Sequence, residues 1–343
     1  MRLSLLWRWL VYMSNPQSKQ KSLRLAGGKA EIFSEKLSYS YHPQESTRTV
    51  KEALERGARF LRERKIENPR LNAEIILGYV LGKSHSHLCL ESYRLLSFSQ
   101  LTKFRKLLIK RSRHQPLSYL IGRQNFMNLS FLVNPKVYIP RPETEILVEE
   151  VLKSLRPFWE TEAGRRATIV DLGTGCGNIA ISLATELPEA IVCAVDISGE
   201  ALKVAASNAE LYHLKDRIVF LKGDLFHPLK GMNLTGRVDA VVSNPPYVAR
   251  DEMGSLSPEV RKEPEIALDG GKEGLEFYQR IVPLTSGFLR RGGLLALEIG
   301  YGQIEKIKDM IACQEDMQPP RIIKDYQGIE RIVLSKKKAA GEK

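Results

Sequence analysis

Asn244-Pro245-Pro246-Tyr247 is the segment of this 343-residue chain best suited to chemistry. It follows the apolar run Val238-Asp239-Ala240-Val241-Val242-Ser243, which reads as a buried parallel strand. Two prolines stop such a strand and hold the backbone extended where the sheet ends. The Asn244 side-chain oxygen and the Pro245 carbonyl can then accept hydrogen bonds from one planar NH2 group, with the flat face of Tyr247 beside it. Such a clamp would hold an amide or amino nitrogen for reaction. The plain alternative is a strand that ends in a proline turn.

A second group of residues suits ligand binding. Val170-Asp171-Leu172-Gly173-Thr174-Gly175-Cys176-Gly177-Asn178 reads as a strand, a glycine turn and the start of a helix. The spacing is not the G-x-G-x-x-G of a dinucleotide site, and the Gly-Lys-Ser/Thr of a phosphate loop is absent. Asp196 ends the next strand about 20 residues on, the place from which a carboxylate grips ribose hydroxyls. One strand later, Lys222-Gly223-Asp224-Leu225 can set a carboxylate against an exocyclic amine and Leu225 against a purine face. Any one of these acids could be a helix cap or a solvated loop residue. Three signals in register with three successive strands point instead to a nucleoside-bearing cofactor. Cys176 has no histidine near it in sequence, so it is expected to lend backbone to the ligand, not to act as a nucleophile.

These residues need strands to hold them. Thr168–Leu172, Ala190–Asp196, Ile218–Leu221, Asp239–Ser243 and Leu294–Ile299 read as strands, and 178–187, 199–212 and 274–290 as helices between them. That alternation predicts an α/β fold: a Rossmann-like, doubly wound, mostly parallel sheet over 141–335, closed by a strand, turn and strand at Arg321–Ser335. Open sheets of this kind bind ligands at the carboxyl ends of their strands. Ile139-Pro140-Arg141-Pro142-Glu143-Thr144-Glu145 leads into a helix carrying Leu147, Val148, Val151, Leu152 and Leu155. Pro142 suits its first turn, and Glu143 and Glu145 suit its positive end. A place at the cofactor mouth is the other reading of these two carboxylates.

Upstream, residues 47–115 read as a small all-α domain. Val50, Ala53, Leu54, Gly57, Ala58 and Leu61 recur at helical spacing, with Thr47 or Thr49 as the cap. Pro69 opens a second helix and Gly82 ends it. A third begins at Ser99 with Leu101, Phe104, Leu107 and Leu108 inward. Its outer face is Lys103, Arg105, Lys106, Lys110, Arg111 and Arg113, either a solvated surface or a partner site. Residues 116–140 read as a β-hairpin linker, and 336–343 as a basic, disordered tail.

Composition sets wider bounds. With 43% hydrophobic and 27% charged residues, the chain is an ordinary globular protein. The net charge of +12 favours a polyanionic partner, although part of the excess lies in the two ends. Cys89, Cys176, Cys193 and Cys313 are scattered, which suits a reducing, cytoplasmic setting without disulfides or zinc. His85-Ser86-His87 lacks further ligands at metal spacing and reads as a polar turn, so no metal is expected. No run is long enough to span a membrane. Residues 1–46 read as a dispensable, flexible extension; the apolar, basic Met1–Met13 keeps organelle targeting as the alternative.

The motifs together resemble class I S-adenosylmethionine-dependent methyltransferases. The likeness is closer still to the release factor glutamine methyltransferases of the HemK family. It rests on Tyr119-Leu-Ile-Gly122, Phe126, Ile139–Glu145, the glycine loop, Asn244–Tyr247 and Leu268-Asp-Gly-Gly271, in that order over about 47–335. The resemblance implies transfer of a methyl group from S-adenosylmethionine to the glutamine amide in the Gly-Gly-Gln loop of peptide chain release factors. It implies cofactor contacts by Gly173 to Gly177, Asp196 and Asn244, and substrate contacts by Asn244, Pro245, Pro246 and Tyr247. Leu225 stands where some relatives have an aromatic residue, and Asn128 where a glycine is usual. A monomer with no stable nucleic-acid complex is expected. The Asn-Pro-Pro-Tyr clamp is shared with enzymes that methylate base amines, so an RNA or DNA amino-methyltransferase is the alternative.

Overall fold

The computed structural model of the protein describes residues 48–161, 166–339 and 341. Residues 1–47, which include the expected extension 1–46, and residues 162–165, 340, 342 and 343 lie outside the described residues. The chain divides into two compact units between Ile121 and Gly122.

The first unit is helical. A two-residue strand β1 (Arg48–Thr49) leads into α1 (Val50–Glu63), followed by α2 (Pro69–Leu81), α3 (His85–Leu90), β2 (Leu95–Leu96), α4 (Phe98–Ser112) and α5 (Leu117–Ile121). Thr49 caps α1 with Glu52 as its reciprocal partner, and Ser97 with Gln100 does the same for α4. The six apolar α1 positions expected inside are all buried. Gly57 lets α4 come close, since a Cβ there would lie 2.9 Å from the Phe104 ring.

Three expectations for this unit change. Arg111 is not on the outer face of α4: it is 4% exposed, and its Nε donates to Asn72 Oδ1 at 2.6 Å. The long arginine stem fits an apolar position and its head finds a buried amide, a pairing that spacing alone hides. His85 and His87 lie in the short helix α3, capped by Ser84, not in a turn. Residues 117–121 form α5, so the hairpin is shorter than 116–140 and starts at Arg123.

The second unit opens with that hairpin, β3 (Arg123–Phe126) and β4 (Leu129–Leu132). Its two-residue loop puts Met127 and Asn128 at positive φ, 48° and 61°. A type I′ turn demands this, and Asn is among the residues that tolerate it. Then come α6 (Pro142–Thr161), β5 (Thr168–Leu172), α7 (Asn178–Glu186), β6 (Ile191–Asp196), α8 (Gly199–Leu211), β7 (Ile218–Lys222), β8 (Val238–Ser243), α9 (Glu276–Phe288), β9 (Leu289–Glu298), α10 (Ile304–Ala312), β10 (Arg321–Lys324) and β11 (Glu330–Lys336).

The sheet order is β10-β11-β9-β8-β5-β6-β7. Strands β5 to β9 run parallel, and β11 is antiparallel to both β9 and β10. Strand order reverses between β5 and β8, and a crevice opens at their carboxyl ends. All six residues of β8 are buried. The acid within it, Asp239, accepts from Thr168 N and Arg290 Nε, so no buried charge is left unpaired.

Strand β9 starts at Leu289, earlier than expected. Gly292 and Gly293 fall where the ladder to β8 shifts register, between the Val238–Leu289 and Ala240–Leu294 pairs. The tail is likewise anchored at its start. Lys336 belongs to β11, and Lys337 Nζ donates to the carbonyls of Ser286 and Leu289.

Candidate active site

Four parallel strands deliver the expected residues to one edge. Leu172 of β5 pairs with Ser243 of β8 and with Val195 of β6, and Asp196 pairs with Lys222 of β7. The glycine loop, the clamp, Asp196 and Asp224 therefore leave the sheet side by side. They line a cleft of about 430 Å³, within the usual size of small-molecule sites.

The glycine loop bends around this cleft. Gly173 and Gly175 have φ of 74° and 56°, and a Cβ on either would meet nothing within 4 Å. They leave room for a ligand against the main chain. Gly177 does something else. It is not among the lining residues, and a Cβ there would lie 2.9 Å from Ile181 and 3.1 Å from Ala205. It lets α7 and α8 pack closely. Thr174 lines the cleft but is 2% exposed and donates its hydroxyl to Asp171 at 2.6 Å. Cys176 is buried, which pushes its thiol up to about 12 and leaves it a poor nucleophile. Its carbonyl accepts from Asn208 Nδ2 at 2.9 Å.

Asp196 accepts Gly175 N–H on one oxygen and Ser198 N–H on the other, each at 2.8 Å. Each oxygen keeps a lone pair for a further donor such as a ribose hydroxyl. Burial raises its pKa, and the two backbone bonds oppose that rise. Asp224 is half-exposed and ion-paired with Arg280. Leu225 lines the same end of the cleft with φ 46°, a left-handed backbone uncommon for leucine. Ile197 adds apolar surface there. The volume, the bare glycine edge, the carboxylate with spare lone pairs and the apolar wall fit an adenosine-bearing cofactor.

The clamp is held from several directions. Asn244 Nδ2 donates to Thr144 Oγ1 at 3.1 Å, and Thr144 Oγ1 donates to Glu298 Oε2 at 2.6 Å. The nitrogen end of the Asn244 amide is thus occupied. Among the described residues, neither Asn244 Oδ1 nor the Pro245 carbonyl accepts a hydrogen bond, and both residues line the cleft. The Tyr247 carbonyl accepts from Gln303 Nε2 at 2.9 Å, and its phenol pKa is raised well above its usual range by burial and by the neighbouring Tyr138. Arg141 Nε donates to Tyr138 Oη at 3.2 Å, and its guanidinium pairs with buried Glu263. Behind the clamp, a Cβ on Gly270 would lie 2.8 Å from Pro246 O, and one on Gly274 would lie 2.3 Å from Tyr247 O. The Leu268-Asp-Gly-Gly271 stretch is therefore the bed on which the clamp backbone lies.

The Ile139–Glu145 segment now has a physical account. Arg141 steadies Tyr138, Thr144 reaches Asn244, and Glu145 accepts the Met127 amide at 2.7 Å, holding the hairpin turn. Sequence reading singled out the two glutamates and passed over Tyr138, Thr144, Glu263, Glu298 and Gln303. Thr144 and Glu298 are polar residues at positions that helix and strand periodicity mark as buried, whereas Glu263 lies in a loop that carries no such signal; all three are under 10% exposed.

Comparison with known proteins agrees with this geometry. Residues 52–122 match the PrmC N-terminal domain, and residues 144–260 match the methyltransferase small domain. A release factor glutamine methyltransferase of Moorella thermoacetica is 41% identical over 287 residues, covering 84% of this chain and 98% of its own. That of Geobacter sulfurreducens is 37% identical over 286 residues, 83% and 95% of the two chains. That of Chlorobaculum tepidum is 36% identical over 291 residues, 84% and 97% of the two chains. Identity of 36% to 41% along nearly the whole length of these relatives places the chain in the release factor glutamine methyltransferase family.

Proposed function

We propose that this protein methylates the side-chain amide of the glutamine in the Gly-Gly-Gln loop of peptide chain release factors. The observation that carries the reading is the orientation of Asn244. Its nitrogen end is tied to Thr144, so its oxygen is left to the cleft beside the Pro245 carbonyl. Two acceptors side by side match the two hydrogens of a primary carboxamide. The relatives' names favour this amide over the amine of a nucleic-acid base.

S-adenosylmethionine, when bound, supplies an electrophilic sulfonium methyl group. Gly173, Gly175, Asp196 and Leu225 would hold it, with Asp224 and the backbone of Thr174 and Cys176 at the rim. An amide nitrogen is a poor nucleophile because its lone pair is delocalised into the carbonyl. Asn244 Oδ1 and Pro245 O orient that nitrogen by its two hydrogens and stabilise the positive charge that develops on it. The Tyr247 ring packs beside the planar amide, and Pro246 stiffens the turn between them. Catalysis is largely positioning, and the surplus proton leaves the nitrogen for water after the new N–C bond has formed. The phenols of Tyr138 and Tyr247 are held neutral by burial, Tyr138 pushed up to about 12, and take no part in that transfer.

The enzyme acts as a cytoplasmic monomer on a protein substrate, without a stable nucleic-acid complex. Scattered cysteines support the compartment, and no described helix is long and apolar enough to cross a membrane. Mass spectrometry of tryptic peptides tests the function. The Gly-Gly-Gln peptide of a purified release factor gains the mass of one methyl substitution only when this protein and S-adenosylmethionine are both present. An unmodified peptide, with label entering RNA instead, would refute it.

A further inference from the structure

We propose that Thr144 and Glu298 are positioning residues that decide which end of the Asn244 carboxamide faces the cleft. The inference rests on the reading of Asn244 as an amide acceptor. A planar amide has two nearly isosteric ends, and only the oxygen end can receive a substrate NH2. Free rotation would present the wrong end for part of the time.

Hydrogen bonding removes that freedom. A hydroxyl carries one hydrogen. Glu298 Oε2, at 2.6 Å, takes the hydrogen of Thr144, so toward Asn244 the threonine oxygen can only accept. It accepts from Nδ2 at 3.1 Å, which forces Oδ1 outward. When ionised, the Glu298 carboxylate can only accept, and it then sets the polarity of the whole chain from its far end. Position supports this. Ser243 of β8 pairs with Leu297 of β9, so Asn244 and Glu298 leave adjacent strands together, and Thr144 in the first turn of α6 bridges them. Thr144 is 1% and Glu298 2% exposed, so water does not compete for these bonds. The Tyr278 hydroxyl donates to the Glu298 carbonyl at 2.9 Å and fixes the strand end itself.

The test uses Thr144→Val, which keeps the shape and deletes the hydroxyl, and Thr144→Ser, which restores it. With a release factor as methyl acceptor, T144V lowers kcat roughly 100-fold, the scale of a misplaced reacting group. Its cofactor affinity by calorimetry stays within about twofold, because the loop that holds the cofactor is untouched. T144S recovers most of the lost kcat. Glu298→Gln is the independent variant. A glutamine can donate as well as accept, so the chain can reverse, and kcat falls with cofactor affinity unchanged. Wild-type kcat in T144V, or a T144S as slow as T144V, overturns the proposal. Turnover surviving in Asn244→Ala would instead overturn the acceptor reading beneath it, so the two failures are told apart.

Discussion

The two sides of the cleft are built differently. On the cofactor side the chain supplies a site almost locally: a glycine turn, then a carboxylate 21 residues on that accepts the Gly175 amide. On the clamp side four consecutive residues are legible, but their supports come from far away. Thr144 lies 100 residues from Asn244 and 154 from Glu298, and Gln303 lies 56 from Tyr247. Binding a cofactor needs a shaped backbone. Orienting a poor nucleophile needs side chains that themselves cannot turn.

Substitutions that strike one side only can break this comparison. Asn244→Ala removes an acceptor and is expected to lower kcat by about 10²–10³-fold, with cofactor affinity little changed in titration calorimetry. A parallel loss of affinity would show that the two sides are not separable. Gly274→Ala attacks the clamp from behind. Its Cβ would lie 2.3 Å from the Tyr247 carbonyl, at a backbone φ of 70°. Expected are at least a tenfold loss of kcat and about 1–3 kcal/mol of stability by denaturant unfolding. Gly175→Ala is the matching change opposite. Open space receives its Cβ, so it costs only about 1 kcal/mol of backbone strain and raises the cofactor KM while sparing kcat at saturation.

pH sharpens the contrast further. Burial pushes Glu298 up to about 7 from 4.5, and Asp171 up to about 7 from 3.8. Glu143 opposes ionisation of Glu298 while Arg331, Thr144 and Asn244 favour it; Asp196 opposes that of Asp171, which Thr174 and the Ala180 amide favour. The folded protein keeps these protons where the unfolded chain has lost them. Each carboxyl therefore makes stability fall as pH rises from its ordinary value to about 7, by about 1.4 kcal/mol per pH unit. Glu298→Gln should flatten its share of that slope in unfolding curves collected from pH 5 to 8 and leave the share of Asp171.

The same division explains what could be read in advance. Periodicity and glycine spacing gave the parallel strands, the helices between them and the carboxyl-edge residues, because each is a pattern within one short window. Arg111, Thr144 and Glu298 were invisible as functional or structural partners. A polar residue at a buried position announces that it needs a partner but not which one, and that partner lay on another element. Helix α10 went unread although Ile304, Ile307 and Ile311 fall at helical spacing and are buried. Gly177 sits in a glycine motif of ligand-binding type and also serves helix packing.

The fastening of Asn244 and Tyr247 to three separate elements makes the pincer a ruler. Because the jaws are tied to α6, β9 and the Gln303 side chain, they cannot shift to meet a shorter guest. An asparagine presented in place of glutamine stops one methylene short, about 1 Å or more from the seat, a displacement that costs on the order of 100-fold in rate. Selectivity for side-chain length then needs no dedicated contact to the aliphatic stem, since a fixed distance performs the discrimination.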